Sequence, residues 1–140
     1  MKGEAQTSAS VYSKAAAIFL GFWAVLHVGA AVSTWMTAAA VDDLLAAGRI
    51  RQNAWHLFGM AIFVGVLTPS IWRNAVSSAV NATVITTFTD IGFIVLLLLP
   101  GVVPIIPGIF GPSVWAIALI LIILAHNKGL KIFGIQDTSK

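Results

Sequence analysis

The 140-residue chain contains no cysteine, and only 9% of its residues are charged. Without cysteine there are no disulfides, no thiolate metal sites, no iron–sulfur clusters and no thiol nucleophile. The scarcity of charge excludes a soluble globular domain, where about 25% of residues are charged, and excludes disordered and fibrous chains as well. Basic residues outnumber acidic ones by 8 to 5. They never gather into the stripe or patch that a phosphate backbone requires, so nucleic acid is not a partner. No glycine-rich phosphate loop, nucleophile elbow or HExxH run is present. No lysine lies in the core of an apolar run, which excludes a retinal Schiff base. No two histidines share the helical spacing of a metal site, so no metal centre is expected.

What is present is apolar. Hydrophobic residues make up 59% of the chain, and the mean hydropathy is +0.95. Such a chain has lipid as its main solvent. Charge-free runs cover 15–41, 52–72 and 74–127, the last broken only by Asp90. A helix needs about 20 residues to cross the hydrocarbon core, so the third run holds two spans. Pro100, Gly101, Pro104, Pro107, Gly108, Gly111 and Pro112 punctuate its middle. The expected fold is all-α: one polytopic four-helix transmembrane bundle over 1–140, with helices at about 15–39, 53–72, 76–99 and 113–133. Residues 1–13 and 136–140 read as polar tails. The segment Gly101–Pro112 cannot be regular helix and should be buried in protein, against a partner subunit for example, or lie at the interface; an interfacial loop is the favoured expectation. The first run is long enough to span and is read as a retained helix, not a signal peptide.

Four spans place both ends of the chain on one side, together with Arg73. That side collects Lys2, Lys14, Arg73, Lys128, Lys131 and Lys140, whereas Arg49 and Arg51 lie opposite with Asp42 and Asp43, in a solvated charged loop. The positive-inside rule then predicts cytoplasmic termini, in a bacterial inner membrane. Trp35, Trp55 and Trp115 read as an aromatic belt at the outer boundary and Trp72 at the inner one. Ala17, Gly21, Gly29 and Ser33, with Val25 between them, recur at multiples of four and predict a close helix–helix contact, within the bundle or between subunits.

Asp90 is the one charged group too deep to reach either surface. A carboxylate at the midplane costs ~2.5–3.5 kcal/mol on insertion scales and commonly faces a cavity or a partner. Thr83, Thr86, Thr87 and Asp90 share one helical face. They predict a polar track rising from the cytoplasmic surface to mid-membrane, with Thr83, Thr86 and Thr87 as candidate substrate-binding residues. The plainer alternative is that the threonines bond their own backbone and Asp90 is packing glue. His27 falls at a similar depth, which permits an Asp90–His27 acid/base pair; a lone histidine bonded to a carbonyl is the plainer alternative there. His56 is a further candidate contact for substrate, or an interfacial anchor like His126. His27 and His56 differ by ~10 Å in depth from the helix rise, which argues against bis-histidine haem.

The layout of spans over 15–133, with Asn53-Ala54-Trp55-His56-Leu57-Phe58-Gly59 opening helix two and Thr89-Asp90 within helix three, resembles the small four-helix membrane proteins grouped as DoxX-like. That resemblance implies a compact bundle, in some members associated with quinone-linked oxidoreductases. In length and helix count the chain is also similar to small multidrug transporters, but they carry a membrane glutamate in helix one, where this chain has His27.

Three functions are compatible with these features. The sequence favours an accessory or interaction subunit of a membrane complex, respiratory or quinone-linked, whose partners are the bilayer and other membrane subunits or copies of itself. The first alternative is a compact enzyme acting on an apolar small molecule (a quinone, isoprenoid or polyketide) with Asp90 and His27 as its acid/base pair. The second is a proton-coupled transporter using Asp90.

Overall fold

The computed structural model describes residues 2–126. Helix α1 covers Lys2–Thr37, α2 Leu44–Trp72, α3 Val76–Phe93, α4 Ile105–Gly108 and α5 Phe110–His126. A π-turn at Ile94–Leu98 continues α3. Four stretches are long and apolar enough to cross a membrane: Val11–Ala40, Leu44–Trp72, Val76–Leu98 and Ile105–His126. The protein is an all-α, multi-pass membrane bundle. Lys128, Lys131, Lys140, the 136–140 tail and the end of the fourth span at 133 lie outside the described residues.

Two helices begin earlier than hydropathy alone indicates. Helix α1 starts at Lys2, because nothing in 2–14 breaks a helix: the first proline of the chain is Pro69. Helix α2 starts at Leu44, because Asp43 caps it. The Asp43 carboxylate accepts the N–H groups of Leu45 (2.8 Å) and Ala46 (2.9 Å), satisfying two of the donors that a helix start leaves free. Arg49 and Arg51 are therefore exposed on the first turns of α2, not in a loop. At the other end of α2, Asn74 takes a left-handed conformation (φ 67°) and turns the chain into α3.

Helices α1 and α2 pack most extensively, and the reason is a repeat of seven. Ala17, Ala24, Ala31 and Ala38 face Ala47, Ala54 and Ala61, all of them buried. A seven-residue step drifts only ~20° around a helix, so small residues at that spacing keep one face for the whole span. Two glycines mark the antiparallel register: a Cβ on Gly21 would lie in ordinary contact with Thr68, at 3.7 Å, and one on Gly65 with Ala24, at 3.8 Å. In lipid, close van der Waals packing of small residues is a main source of helix association. The four-residue stripe does not form this contact. Ala17 and Gly21 are packed, but Val25, Gly29 and Ser33 are exposed, because a step of four rotates ~40° each time and leaves the seam.

Helix α5 packs on α1, while α3 touches α2 and α5 more lightly. The order around the bundle is thus α1, α2, α3, α5, with α1 and α3 across the diagonal. Near Arg73 the core closes tightly around Ala16, Leu20, Ile71, Ala79, Ala82 and Ala118. Ser13 Oγ donates to the Ile71 carbonyl there (2.5 Å), and the Lys14 ammonium lies 5.7 Å from the centre of the Trp72 ring.

The Pro/Gly segment corrects the expectation of an interfacial loop. After Gly101 (φ +74°) the chain turns back through α4, and Gly111 reaches the level of Asp90 and His27. Asp90 lies eight residues before the end of the π-turn at Leu98, or ~12 Å along a helix. The segment therefore descends along the bundle with Ile105, Ile106 and Phe110 exposed, and enters it only at Gly111 and Pro112. Gly108 packs closely against Leu98, Val103 and Phe93, so that a Cβ would meet the Leu98 side chain at 3.0 Å and press it aside.

Candidate functional site

Trp23, on α1 and fully buried, organises the centre of the molecule. A buried indole N–H needs an acceptor. It donates across the diagonal to Asp90 Oδ2 on α3 at 2.6 Å. One turn further along α1, the His27 ring stacks on the Trp23 ring with centroids 3.7 Å apart and planes at 23°. His27 Nδ1 is 2.9 Å from the Trp23 carbonyl oxygen. A carbonyl oxygen only accepts, so Nδ1 carries the proton, and in the neutral ring Nε2 is left as an acceptor. One residue thus holds both candidate catalytic groups, the carboxylate through its side chain and the imidazole through its backbone.

Asp90 and His27 are brought together. A Cβ placed on Gly111 would be 3.6 Å from Asp90 Oδ1 and 3.4 Å from His27 Cε1, with Nε2 at 3.9 Å. Asp90 Oδ1 is buried and has no hydrogen-bond partner. An unpaired buried acceptor of this kind is costly in a membrane protein, and is where a ligand's polar group belongs.

Both groups border a cavity of about 650 Å³, within the size range of small-molecule sites. Its deep end is His27, Met60, Asp90 and Gly111. From there it runs along one half of the bundle, past Ala30 and Leu57 and between Phe93 and Pro107, to Thr34, Asn53 and Val103 near the ends of the helices. The π-turn at Ile94–Leu98 contributes Leu96 and Leu97 to the wall. The walls are otherwise mostly apolar, and among the described residues no lysine or arginine lines them. Thr89, beside Asp90, directs its hydroxyl to the Ile85 carbonyl (2.8 Å) and the Met60 sulfur (3.4 Å).

The cavity approaches Asp90 from the end opposite to the expected polar track. None of Thr83, Thr86, Thr87 and His56 lines it. Thr86 is buried with its hydroxyl on the Thr83 carbonyl (3.3 Å). Thr87 accepts the Trp115 indole N–H (3.1 Å), so Trp115 bridges α5 and α3 inside the bundle and is not part of an outer belt. His56 is exposed on α2. Ala79 and Ala82 share α3 with these threonines and are fully buried, so that end of the stripe is filled by packing.

Trp23 and Gly111 are the site residues missed in the sequence. The signal for Trp23 was available: it is the one tryptophan at mid-span, four residues before His27, and a mid-span indole needs an acceptor. For Gly111 there was none, because its role depends on how far the Pro/Gly segment descends. Among the described residues no three His, Asp or Glu side chains gather as a metal site would require. Comparisons with protein-family models, curated proteins and solved structures return no match.

Proposed function

We propose that this membrane protein takes an apolar molecule with a small polar head into the cavity, and that Asp90 and His27 act on that head as an acid/base pair. The observation that carries this reading is the unpartnered Asp90 Oδ1 at the deep end of an apolar cavity, beside the free edge of His27. The apolar walls suit a quinone, isoprenoid or polyketide tail. Asp90 Oδ1 would give or take the proton, His27 Nε2 would be the second polar contact, and Trp23 would hold both in place. The DoxX-like layout, with its quinone-linked members, is in keeping with such a ligand.

The accessory-subunit reading has less support, because the exposed apolar side chains of the bundle are those that a bilayer covers equally well. A transporter needs access to its site from both sides in turn, and the packed half around Ala79, Ala82 and Thr86 supports access from one end only. With cytoplasmic termini, as the basic residues indicate, the cavity belongs to the outer leaflet of a bacterial inner membrane. Reporter fusions after Arg49 and after Lys140 should then read exterior and cytoplasm; the reverse pattern would overturn the orientation.

Asp90→Asn tests the function. The amide has nearly the same shape and still accepts from Trp23, so thermal stability in detergent should be retained. Turnover, or occupancy by a co-purifying apolar molecule in native mass spectrometry, should fall ~10²-fold, the low end for a lost general acid/base. Unchanged turnover and occupancy in a folded Asn variant would remove the acid/base reading.

A further inference from the structure

We infer that the head group recognised at Asp90 and His27 is a hydroxyl, not a carbonyl or an anion. This rests on the cavity being the ligand site. Asp90 Oδ2 is taken by the Trp23 indole, which leaves Oδ1 without a partner, buried beside Gly111 at the cavity's deep end. The His27 Nδ1 proton is taken by the Trp23 carbonyl, so the Nε2 of the neutral ring is an acceptor. Thr89, the nearest other hydroxyl on α3, is engaged with Ile85 and Met60. Asn53 and Thr34, the remaining polar groups of the lining, stand toward the mouth. Among the side chains of the described residues, the deep end therefore presents two acceptors and, with Asp90 ionised, no free donor.

A hydroxyl finds a partner in either state of the carboxyl and pairs both groups when Asp90 is protonated. It donates to ionised Asp90, or it accepts from protonated Asp90 while donating to His27 Nε2. A carbonyl is served only by protonated Asp90, and even then leaves Nε2 unpaired. A phosphate or carboxylate meets a second negative group with no lysine or arginine in the lining to offset it. An ammonium brings three donors to two acceptors and leaves one of them facing apolar wall. The ligand class is thus a long-chain or isoprenoid alcohol, with the tail along the Leu57, Phe93 and Leu97 walls and the hydroxyl beside Gly111.

Three probes with one tail separate the possibilities: farnesol, farnesal and farnesyl phosphate, titrated onto the full-length protein in lipid nanodiscs with tryptophan fluorescence as the readout. Gly111→Val, whose side chain would stand between His27 and Asp90, sets the baseline for simple partition into lipid. Farnesol should bind at least ~10-fold tighter than farnesal, the scale of one hydrogen bond to a charged or buried partner, and farnesyl phosphate should bind weakest. Asp90→Asn, which adds a donor, should reduce the alcohol-to-aldehyde ratio at least ~3-fold, a few tenths of that same hydrogen-bond energy. If farnesal or farnesyl phosphate binds as well as farnesol above the Gly111→Val baseline, the head-group assignment is overturned and the cavity remains a ligand site. If none of the three rises above that baseline, both the assignment and the proposed function fall.

Discussion

The two halves of the bundle, taken along the membrane normal, are built on opposite principles. In the half that holds Arg73, side chains of four helices meet in one buried core around Leu20, Ile71, Ala82 and Ala118. In the other half α1 and α2 stay together on their alanine seam, but α3 stands away and a cavity of about 650 Å³ separates it from them. The same helices supply both halves. The difference lies in which residues face inward: small alanines where the core closes, and Ala30, Leu57, Phe93 and Leu97 around a space that the Pro/Gly segment fills only in part. A seam of sevens makes a rigid pair, and the lightly packed α3 is free to carry the one carboxylate that the pair cannot satisfy completely.

The sharpest way to break this contrast is to place the same leucine in each region. Ala61→Leu, on the seam, should lower stability by roughly 1–3 kcal/mol, the cost of overpacking a close contact. Ala30→Leu, at the cavity wall, should change stability by no more than ~0.5 kcal/mol, as at an exposed position. Thermal unfolding of both variants in one detergent measures the difference. Equal losses would mean that the seam is no more constrained than the cavity wall.

A smaller effect tests the link between the halves. Trp23 belongs to the packed core, yet its N–H and carbonyl reach the two groups at the cavity. Trp23→Phe keeps an aromatic ring against His27 and removes the N–H, leaving both Asp90 oxygens without a donor. The expected loss is about 1 kcal/mol, within the range for hydrogen bonds between membrane helices. A merely structural Trp23 would lower the melting temperature alone. A positioning Trp23 also raises the preference for an alcohol over an aldehyde, because Oδ2 then becomes a second free acceptor. An unchanged preference would confine Trp23 to packing.

The class of the protein was legible in the sequence because lipid imposes it on every residue: charge-free runs leave only helices, and four fit. The burial of Asp90 was legible for the same reason, since it is the one charged residue inside an apolar run. What hydropathy could not reach were features that leave the apolar pattern unchanged. Asp43 moves the start of α2 by nine residues through two hydrogen bonds, against the expected start at 53. The seam is written in alanines at a spacing of seven, but a period of four runs through the same helix and shares Ala17 with it. The depth of Gly111 depends on a backbone path with no periodicity. Of the polar stripe on α3 only Asp90 borders the cavity, because threonines can be buried by bonding to their own helix, whereas a cavity can be lined by leucines.

Thr83 carries the last and smallest prediction, and it separates the two halves within one helix. Thr83 and Asp90 are two turns apart on α3, and both have a buried side-chain oxygen without a partner. Only Asp90 borders the cavity. An unpaired hydroxyl enclosed by packing has no ligand to wait for and is a net cost, so replacing it with a methyl of the same shape should be neutral or favourable. Thr83→Val is therefore expected to leave the melting point unchanged or to raise stability by up to ~1 kcal/mol, with farnesol binding unaltered. Asp90→Leu, the corresponding apolar substitution two turns away, should abolish that binding while the bundle stays folded. If Thr83→Val weakens binding as well, a ligand reaches into the packed half, and the division of the molecule into a closed half and an open half fails at Thr83.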